Sequence, residues 1–317
     1  MKRVAVARVA GAITIGAALA TSGSIANAED GVDINQVAEL VGEAAPGADS
    51  LLVPTETSGA DWTFSVQGGT EVTVPTEPGD AVTIGAADGG LSLEVSLPAE
   101  IALEDADVAS DGSVVFADAG AGVHAVVQVI DDASVRFATV LESDDAPSEY
   151  SYDLGELTPV LAPDGSVDLY REVPAVGAAV LVGTVEAPWA VDAGGLPVAT
   201  SYSVDGHSLV QHVAHDSSSA YPITADPKLT KTWWNTTIYF NRSETKRIGD
   251  RAPLASILAF LPSTIAKAVG AYLVTSSGLF DYYYSNGQCG KMVSYGSGLG
   301  VYFPQQYGGS EAGGYCK

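Results

Sequence analysis

Residue types that could carry acid–base or nucleophilic chemistry gather near residue 207. The segment Gly206-His207-Ser208-Leu209-Val210 imitates the nucleophile elbow of hydrolases, in which Gly-x-Ser-x-Gly forms a sharp turn from a strand to a helix. Val210 occupies the place of the second glycine, and the residues that follow continue a strand pattern. We therefore predict that Ser208 is structural, and we name no catalytic residue.

Metal ligands are a second possibility, because His207, His212 and His215 lie within nine residues. Positions 212 and 215 of an extended strand point to opposite faces, so these imidazoles cannot share a zinc ion without a bulge. The acidic stretch 105–112 is similar to a calcium loop but misses the EF-hand spacing. We predict no metal site and no cofactor, and calcium at an acidic loop remains an alternative.

Residues 1–28 have the features of a secretory signal in the expected order. Three basic residues precede the uncharged run Val9–Ala20, and Ala26-Asn27-Ala28 matches an A-x-A cleavage site. The run is too short to span a bilayer as a permanent anchor. The sequence predicts a mature chain that begins at Glu29 and is secreted, either extracellular or associated with the cell wall.

The chain has two cysteines, Cys289 and Cys316, both within its last thirty residues. An even pair in an exported chain is typical of a disulfide. Closing a loop of this size stabilises a small domain by about 3 kcal/mol in the chain-entropy model. We predict a disulfide between Cys289 and Cys316 with a structural role.

Charge divides the chain into two blocks of opposite sign. Residues 29–227 contain 35 Asp and Glu but two Arg, whereas residues 228–317 contain nine basic and four acidic residues. We interpret the reversal near Asp226-Pro227 as a domain boundary. The predicted organisation is a signal peptide at 1–28, a leader with a short helix at 29–58, an acidic β domain at 59–227 and a basic module at 228–317. The net charge of −25 disfavours nucleic-acid binding.

Between residues 61 and 213, short runs rich in Val, Thr, Ile and Leu alternate with turn dipeptides such as Asp111-Gly112 and Asp205-Gly206. In segment 91–97, Ser and Glu alternate with Leu and Val, which buries one face of a strand and leaves the other in water. The pattern predicts a mainly β fold, either an antiparallel β-sandwich or a partly closed barrel. In the leader, helical spacing of apolar residues predicts a helix over 35–44.

Beyond residue 227 the composition predicts a small α+β domain tied by the cysteines. Asn241 and Glu244 stand in capping-box register at a helix start. The predicted elements are an aromatic strand Lys231–Phe240, a short helix through Ile248, helical stretches Arg251–Phe260 and Ser263–Tyr284, and a closing hairpin.

Basic residues at helical spacing precede a long apolar stretch in this region. The surface-contact candidates are Arg242, Lys246, Arg247 and Arg251, which would present one cationic edge to an anionic surface. A solvated helix face is the alternative. Ala252–Phe280 carries one charge, and Pro262 within it favours two short core helices over contact with a membrane.

Three segments carry a resemblance to a known group: the joint Tyr221-Pro222 to Asp226-Pro227, the pair Trp233-Trp234, and Asn241-Arg242-Ser243-Glu244-Thr245. Together they resemble uncharacterised secreted actinobacterial proteins, in which a Tyr-Pro-x-x-x-Asp-Pro joint follows a β-rich acidic region and precedes a Trp-rich, Cys-tied C-terminal module. The resemblance covers about residues 195–317. It implies export and the boundary, and it implies no activity.

These patterns lead to one main hypothesis of function. An exported, non-enzymatic protein would use its cationic C-terminal module to contact an envelope, a membrane, a protein partner or its own acidic domain. In the sharper form, the acidic domain masks the module until the joint is cleaved, as in a bacteriocin or toxin precursor. The alternative is an extracellular hydrolase of unrecognised type that uses the β domain.

Overall fold

A computed structural model describes most of the chain. The described residues are 32–45, 50–56, 61–66, 69–86, 92–118, 120, 122–131, 134–173, 177–231, 237–252, 263–294 and 301–317. The predicted signal peptide at 1–28 lies outside the described residues, as does most of the predicted helical stretch Arg251–Phe260.

The described elements are, in chain order, helix α1 (Ile34–Ala44), strands β1 (Thr55–Glu56), β2 (Asp61–Val66), β3 (Thr70–Pro75), β4 (Val82–Ala86), β5 (Leu93–Val95), β6 (Asp107–Val108), β7 (Val114–Phe116), β8 (Val123–Val129), β9 (Ser134–Leu141), β10 (Glu149–Asp153), β11 (Leu157–Leu161), β12 (Val167–Val173), β13 (Ala178–Val185), β14 (Trp189–Val191), β15 (Thr200–Asp205), β16 (Ser208–Val213), β17 (Ile223–Asp226), β18 (Lys228–Lys231) and β19 (Thr237–Phe240), helices α2 (Arg242–Gly249) and α3 (Ser263–Ser285), and strands β20 (Cys289–Ser294) and β21 (Tyr302–Tyr307). A short 3₁₀ segment, Glu311–Gly314, follows β21.

These strands form three antiparallel sheets. A five-stranded meander runs in the order β1-β2-β3-β4-β5, and a three-stranded sheet in the order β10-β16-β15. The remaining strands form one large sheet, whose main path is β21-β20-β19-β13-β18-β9-β8-β7-β6. Among the described strands the sheets are not closed into a barrel. The prediction of a mainly β, antiparallel fold followed by a small α+β region is confirmed.

Strands β8 and β9 lie at the centre of the large sheet and are buried on both faces. On one face, Phe137 and Val127 belong to the main hydrophobic core. On the other, α1 packs its buried Val37 and Val41 against residues of these strands. Asp33 caps α1 by accepting a hydrogen bond from the backbone N–H of Asn35 at 3.0 Å. Segment 35–44 is therefore helical, as its apolar spacing predicts, and it covers the sheet.

The charge boundary lies inside the large sheet. Strand β17 ends at Asp226 and pairs with β9, whereas β18 begins at Lys228 and pairs with both β9 and β13. One hydrophobic core includes residues from both sides, from Phe64 to Tyr302. Division of the chain at residues 227 and 228 into separately folding parts stays a prediction.

Of the aromatic strand predicted over Lys231–Phe240, the described residues are Lys231, at the end of β18, and Thr237–Phe240, which form β19; residues 232–236 lie outside the described residues. Both strands pair with β13, and β18 also pairs with β9. Strand β19 pairs with β13 on one side and with β20 on the other. It therefore joins the hairpin of β20 and β21 to the large sheet. Helices α2 and α3 pack against each other and against β20. No helix among the described residues is long and apolar enough to cross a membrane.

Candidate functional site

Helix α2 begins where the sequence predicts it. The side-chain oxygen of Asn241 accepts a hydrogen bond from the backbone N–H of Glu244 at 2.9 Å. The guanidinium of Arg242 donates to the carbonyl oxygens of Gln288 at 2.6 Å and Tyr284 at 3.1 Å, and it lies 4.1 Å from the centre of the Tyr284 ring. Because these carbonyls lie at and just beyond the C-terminal end of α3, Arg242 ties the two helices together.

Two further cationic candidates have acidic partners on their own helix. Lys246 Nζ lies 2.5 Å from Asp250 Oδ2, an interaction that raises the pKa of Lys246. Arg247 lies 2.6 Å from a carboxylate oxygen of Glu244. Burial raises the pKa of Glu244, and Arg247 opposes that effect. Both cationic side chains remain about half exposed, so they lie at the surface with part of their charge compensated.

The fourth candidate, Arg251, points towards α3. Its Nε donates to Ser277 Oγ at 3.1 Å, and its backbone has φ 57, in the left-handed region. All four cationic residues thus lie on or beside α2, but they do not form one free edge. Arg242 and Arg251 hold α3 in place, and Lys246 and Arg247 face solvent.

Helix α3 exposes apolar side chains along one side. Its core side carries the buried residues Val269, Leu273 and Phe280. The opposite side, here called the apolar stripe, exposes Val274 by 66%, Leu279 by 46% and Tyr282 by 59%. The same side also carries the exposed Ala271, Thr275, Gly278 and the acidic Asp281, and the exposed Lys267 lies at its N-terminal end. A helix that packs on a core usually has polar residues on its outer side, and here Val274, Leu279 and Tyr282 are exposed there beside Thr275 and Asp281.

The predicted disulfide is confirmed. Cys289 and Cys316 are bonded, with their Cα atoms 5.7 Å apart. Cys289 begins β20 and is buried beside Tyr239 and Tyr307. The bond therefore fastens the segment after β21 to β20, the strand next to the edge of the large sheet.

Three histidines make contacts that fit a structural role. The backbone N–H of Asp118 donates to His124 Nδ1 at 3.1 Å, and His207 Nδ1 donates to the carbonyl oxygen of Leu157 at 2.6 Å. His215 Nδ1 lies 2.7 Å from the hydroxyl of Tyr221. Within the described part of the chain, no group of three His, Cys, Asp or Glu residues could hold a metal ion.

The fourth histidine, His212, lies between a serine and a carboxylate. Its Nε2 is 2.7 Å from Ser203 Oγ, and its Nδ1 is 3.2 Å from Glu149 Oε1. The three residues come from β15, β16 and β10, the three strands of the smallest sheet. The order serine, imidazole and carboxylate is that of a nucleophile, its base and the group that orients the base.

A cleft borders the same sheet. It has a volume of about 530 Å³ and is lined by Ser151, Asp153 and Ser208 together with apolar residues of segment 97–103, among them Leu97 and Ile101. Ser151 and Asp153 alternate with Glu149 on β10, so these side chains share one face of the sheet. The cleft therefore opens beside the face that carries His212.

The sequence predicts Ser208 as a structural residue in a strand, and Ser208 begins β16. The serine in contact with an imidazole is Ser203, which no sequence pattern singles out. Pairing around the turn at Asp205-Gly206 places Ser201 opposite His212 and Ser203 one step along the same face. Glu149 lies 63 residues from His212 in sequence, and no local pattern signals that contact.

No protein-family model matches this sequence, and no curated protein sequence matches it.

Proposed function

We propose that this protein is exported and docks on an anionic lipid surface through the apolar stripe of α3 and the basic residues beside it. The observation that carries the proposal is the exposure of Val274, Leu279 and Tyr282 along one side of a helix of 23 residues. Clustered exposed apolar side chains mark sites of contact with proteins or membranes.

The chemistry of this surface favours lipid over a wall polymer. A helix that lies in a membrane interface buries an apolar face and directs cations to the headgroups. Lys267 lies at one end of the apolar stripe, and the half-exposed Lys246 and Arg247 lie on the neighbouring α2. Tyr282 has the amphipathic ring typical of the headgroup region. A polyanionic wall polymer would attract the cations but offers no apolar phase for Leu279.

Charge would orient the molecule on such a surface. The 35 acidic residues between positions 29 and 227 are repelled by anionic lipid, whereas residues 228–317 have an excess of five basic residues. The same surface therefore attracts one end of the molecule and repels the other. In this proposal the acidic region selects the docking orientation and is not removed.

Docking by the intact chain agrees with the position of the joint. Asp226 is 1% exposed, and its strand β17 pairs with β9 and β14. Proteases cleave exposed, flexible segments, so a cut at Asp226-Pro227 would require local unfolding. The proposal therefore assigns the contact to the uncleaved mature protein.

Co-sedimentation of the chain 29–317 with lipid vesicles tests the proposal. We expect binding to phosphatidylcholine vesicles that contain phosphatidylglycerol, weaker binding to phosphatidylcholine alone, and a loss of affinity as salt is added, because salt screens exposed charges. Failure to bind either kind of vesicle would overturn the proposal. Equal binding to both kinds of vesicle would show that the basic residues do not contribute to binding.

Matched substitutions locate the contact. Leu279→Asp should lower vesicle affinity by about tenfold or more. A tenfold change corresponds to ~1.4 kcal/mol, which is less than the free energy gained by burying one leucine side chain. Leu196→Asp is the control, because Leu196 is 65% exposed and lies near β14, away from α3. If both variants bind vesicles equally well, the apolar stripe is not the contact surface.

A further inference from the structure

The three-stranded sheet has one buried face and one polar face. Tyr150, Tyr152 and Leu209 alternate along its strands and are buried in the core. The residues between them in sequence form the other face. Cross-strand register places Glu149 opposite His212 and Ser151 opposite Val210, and it places Ser203 opposite Val210 from the other side. Glu149 therefore lies directly across from His212, and Ser203 lies diagonally from His212 on the opposite neighbouring strand.

We propose that Ser203 and His212 are catalytic residues of an ester-hydrolysing site and that Glu149 is their positioning residue. Glu149 Oε1 lies 3.2 Å from His212 Nδ1, where a carboxylate accepts the Nδ1 proton. The Nε2 atom is then left as an acceptor, and Ser203 Oγ lies 2.7 Å from it. A simple ion pair between strands would consist of Glu149 and His212 only. Here the second imidazole nitrogen, Nε2, also contacts a hydroxyl that can act as a nucleophile.

The reaction would follow the two steps of acyl transfer. Ser203 Oγ attacks the carbonyl carbon of an ester while His212 Nε2 takes the hydroxyl proton. The ester C–O bond then breaks, and the alcohol leaves with the proton from His212. Water repeats the sequence on the acyl-serine, which releases the carboxylic acid and restores Ser203. No metal or redox partner is required for the balance of atoms and electrons.

The edge of the sheet can supply a donor for the developing oxyanion. Strand β15 is the end strand in the order β10-β16-β15. In an antiparallel pair, every second residue directs its backbone N–H away from the partner strand. Val204 follows Ser203 and is paired with Leu209, next to the turn at Gly206-His207. The N–H of the residue after the nucleophile is a common oxyanion donor in serine hydrolases.

The neighbouring cleft indicates the class of substrate. Ser203 and Ser151 flank Val210 from the two sides, so they lie about 10 Å apart at two interstrand spacings. An acyl group on Ser203 would cross Val210 and reach the cleft of about 530 Å³, whose lining includes Leu97 and Ile101. The site therefore fits an ester whose acyl chain spans about 10 Å, on the order of eight carbons. It does not involve α3 and is separate from the proposed membrane contact.

Covalent labelling tests the nucleophile directly. The mature chain 29–317 is treated with an alkyl fluorophosphonate, and the modified residue is located by peptide mass spectrometry. We expect the adduct on Ser203, and we expect its loss in Ser203→Ala and in His212→Gln. Ser201→Ala is the matched control, because Ser201 lies opposite His212 on the same strand as Ser203 and should leave the labelling unchanged.

Hydrolysis of p-nitrophenyl octanoate tests the positioning residue. Glu149→Gln should lower kcat by roughly 10²-fold while KM stays within a factor of about two, because the side chain orients the base and does not touch the substrate. Folding of each variant is checked by circular dichroism. The proposal is overturned if the wild-type protein forms no adduct, if the adduct forms on another serine, or if His212→Gln labels as fast as wild type.

Discussion

Arg136 and Asp226 form an ion pair inside the large sheet, with Nε 3.1 Å from Oδ2 and both side chains almost fully buried. Arg136 also donates to the side-chain oxygen of Gln128 at 2.8 Å. Burial raises the pKa of Asp226 to about 7, and the positive charge of Arg136 opposes that shift. The residue at which the charge of the chain reverses is therefore part of a buried polar contact of the fold.

The raised pKa of Asp226 makes stability depend on pH. Its ordinary pKa is 3.8 and its folded pKa is about 7, so between these values the folded chain holds a proton that the unfolded chain lacks. This contribution stabilises the fold at low pH and is lost as pH rises to about 7. Urea unfolding measures the free energy of unfolding of wild type and of Asp226→Asn. The wild-type value minus the variant value should fall as pH rises from 3.8 to about 7 and should then stay constant. A constant difference would contradict the shift.

Removal of the cation should make the same site more sensitive to pH. Arg136→Met leaves a buried carboxylate without its partner, which costs about 3–5 kcal/mol when that carboxylate is charged. At about pH 8 we expect a loss of that size, and at about pH 5 a smaller one, because protonated Asp226 needs no cation. The free energy of unfolding at the two pH values measures the difference.

Lys228→Met is the matched control for that measurement. Lys228 is the register partner of Arg136 and is 15% exposed, but its carboxylate neighbour Glu186, at 3.7 Å, is 55% exposed. Because that carboxylate remains in water, we expect the pair to contribute about 1 kcal/mol or less. If Arg136→Met and Lys228→Met lower the free energy of unfolding equally, burial does not determine how much the ion pair of Arg136 and Asp226 contributes to stability.

The sequence predicts the local elements well, because the forces that form them act over short distances. Alternating apolar residues predict the antiparallel strands, and Asn241 is recognisable as the cap of α2. The charge boundary is a different kind of signal. Charge describes the surface, whereas strand pairing decides which segments share a sheet. Lys228–Lys231 is on the basic side by charge but pairs with β9, on the acidic side.

The candidate sites show the same limit. Helical spacing predicts a cationic edge, but Asp250 and Glu244 stand four and three residues from Lys246 and Arg247 and already indicate local ion pairs. For the small sheet, the turn at Asp205-Gly206 fixes the register of Ser203. The contact between His212 and Glu149 depends on a strand pairing across more than sixty residues of chain, which no periodicity encodes.

Close packing of α3 on β20 should tolerate no side chain at Gly290. A Cβ atom there would overlap the ring of Phe280, which is fully buried and packs against Phe240 with ring centroids 5.8 Å apart. We expect Gly290→Ala to lower the free energy of unfolding by about 1–3 kcal/mol. Gly278→Ala, on the exposed side of α3 with open space around it, should instead raise stability by up to about 1 kcal/mol. Denaturant unfolding of both variants tests this contrast.

The disulfide should stabilise the C-terminal end mainly by restricting the unfolded chain. Cys289 and Cys316 are 27 residues apart, and closing a loop of this length contributes about 3–4 kcal/mol in the chain-entropy model. We expect the double variant Cys289→Ser with Cys316→Ser to lose that amount relative to the oxidised protein in urea unfolding. Reductant should destabilise the wild-type protein by a similar amount and leave the variant unchanged. A loss below about 1 kcal/mol would contradict this account and would mean that the unfolded chain keeps these two segments close without the bond.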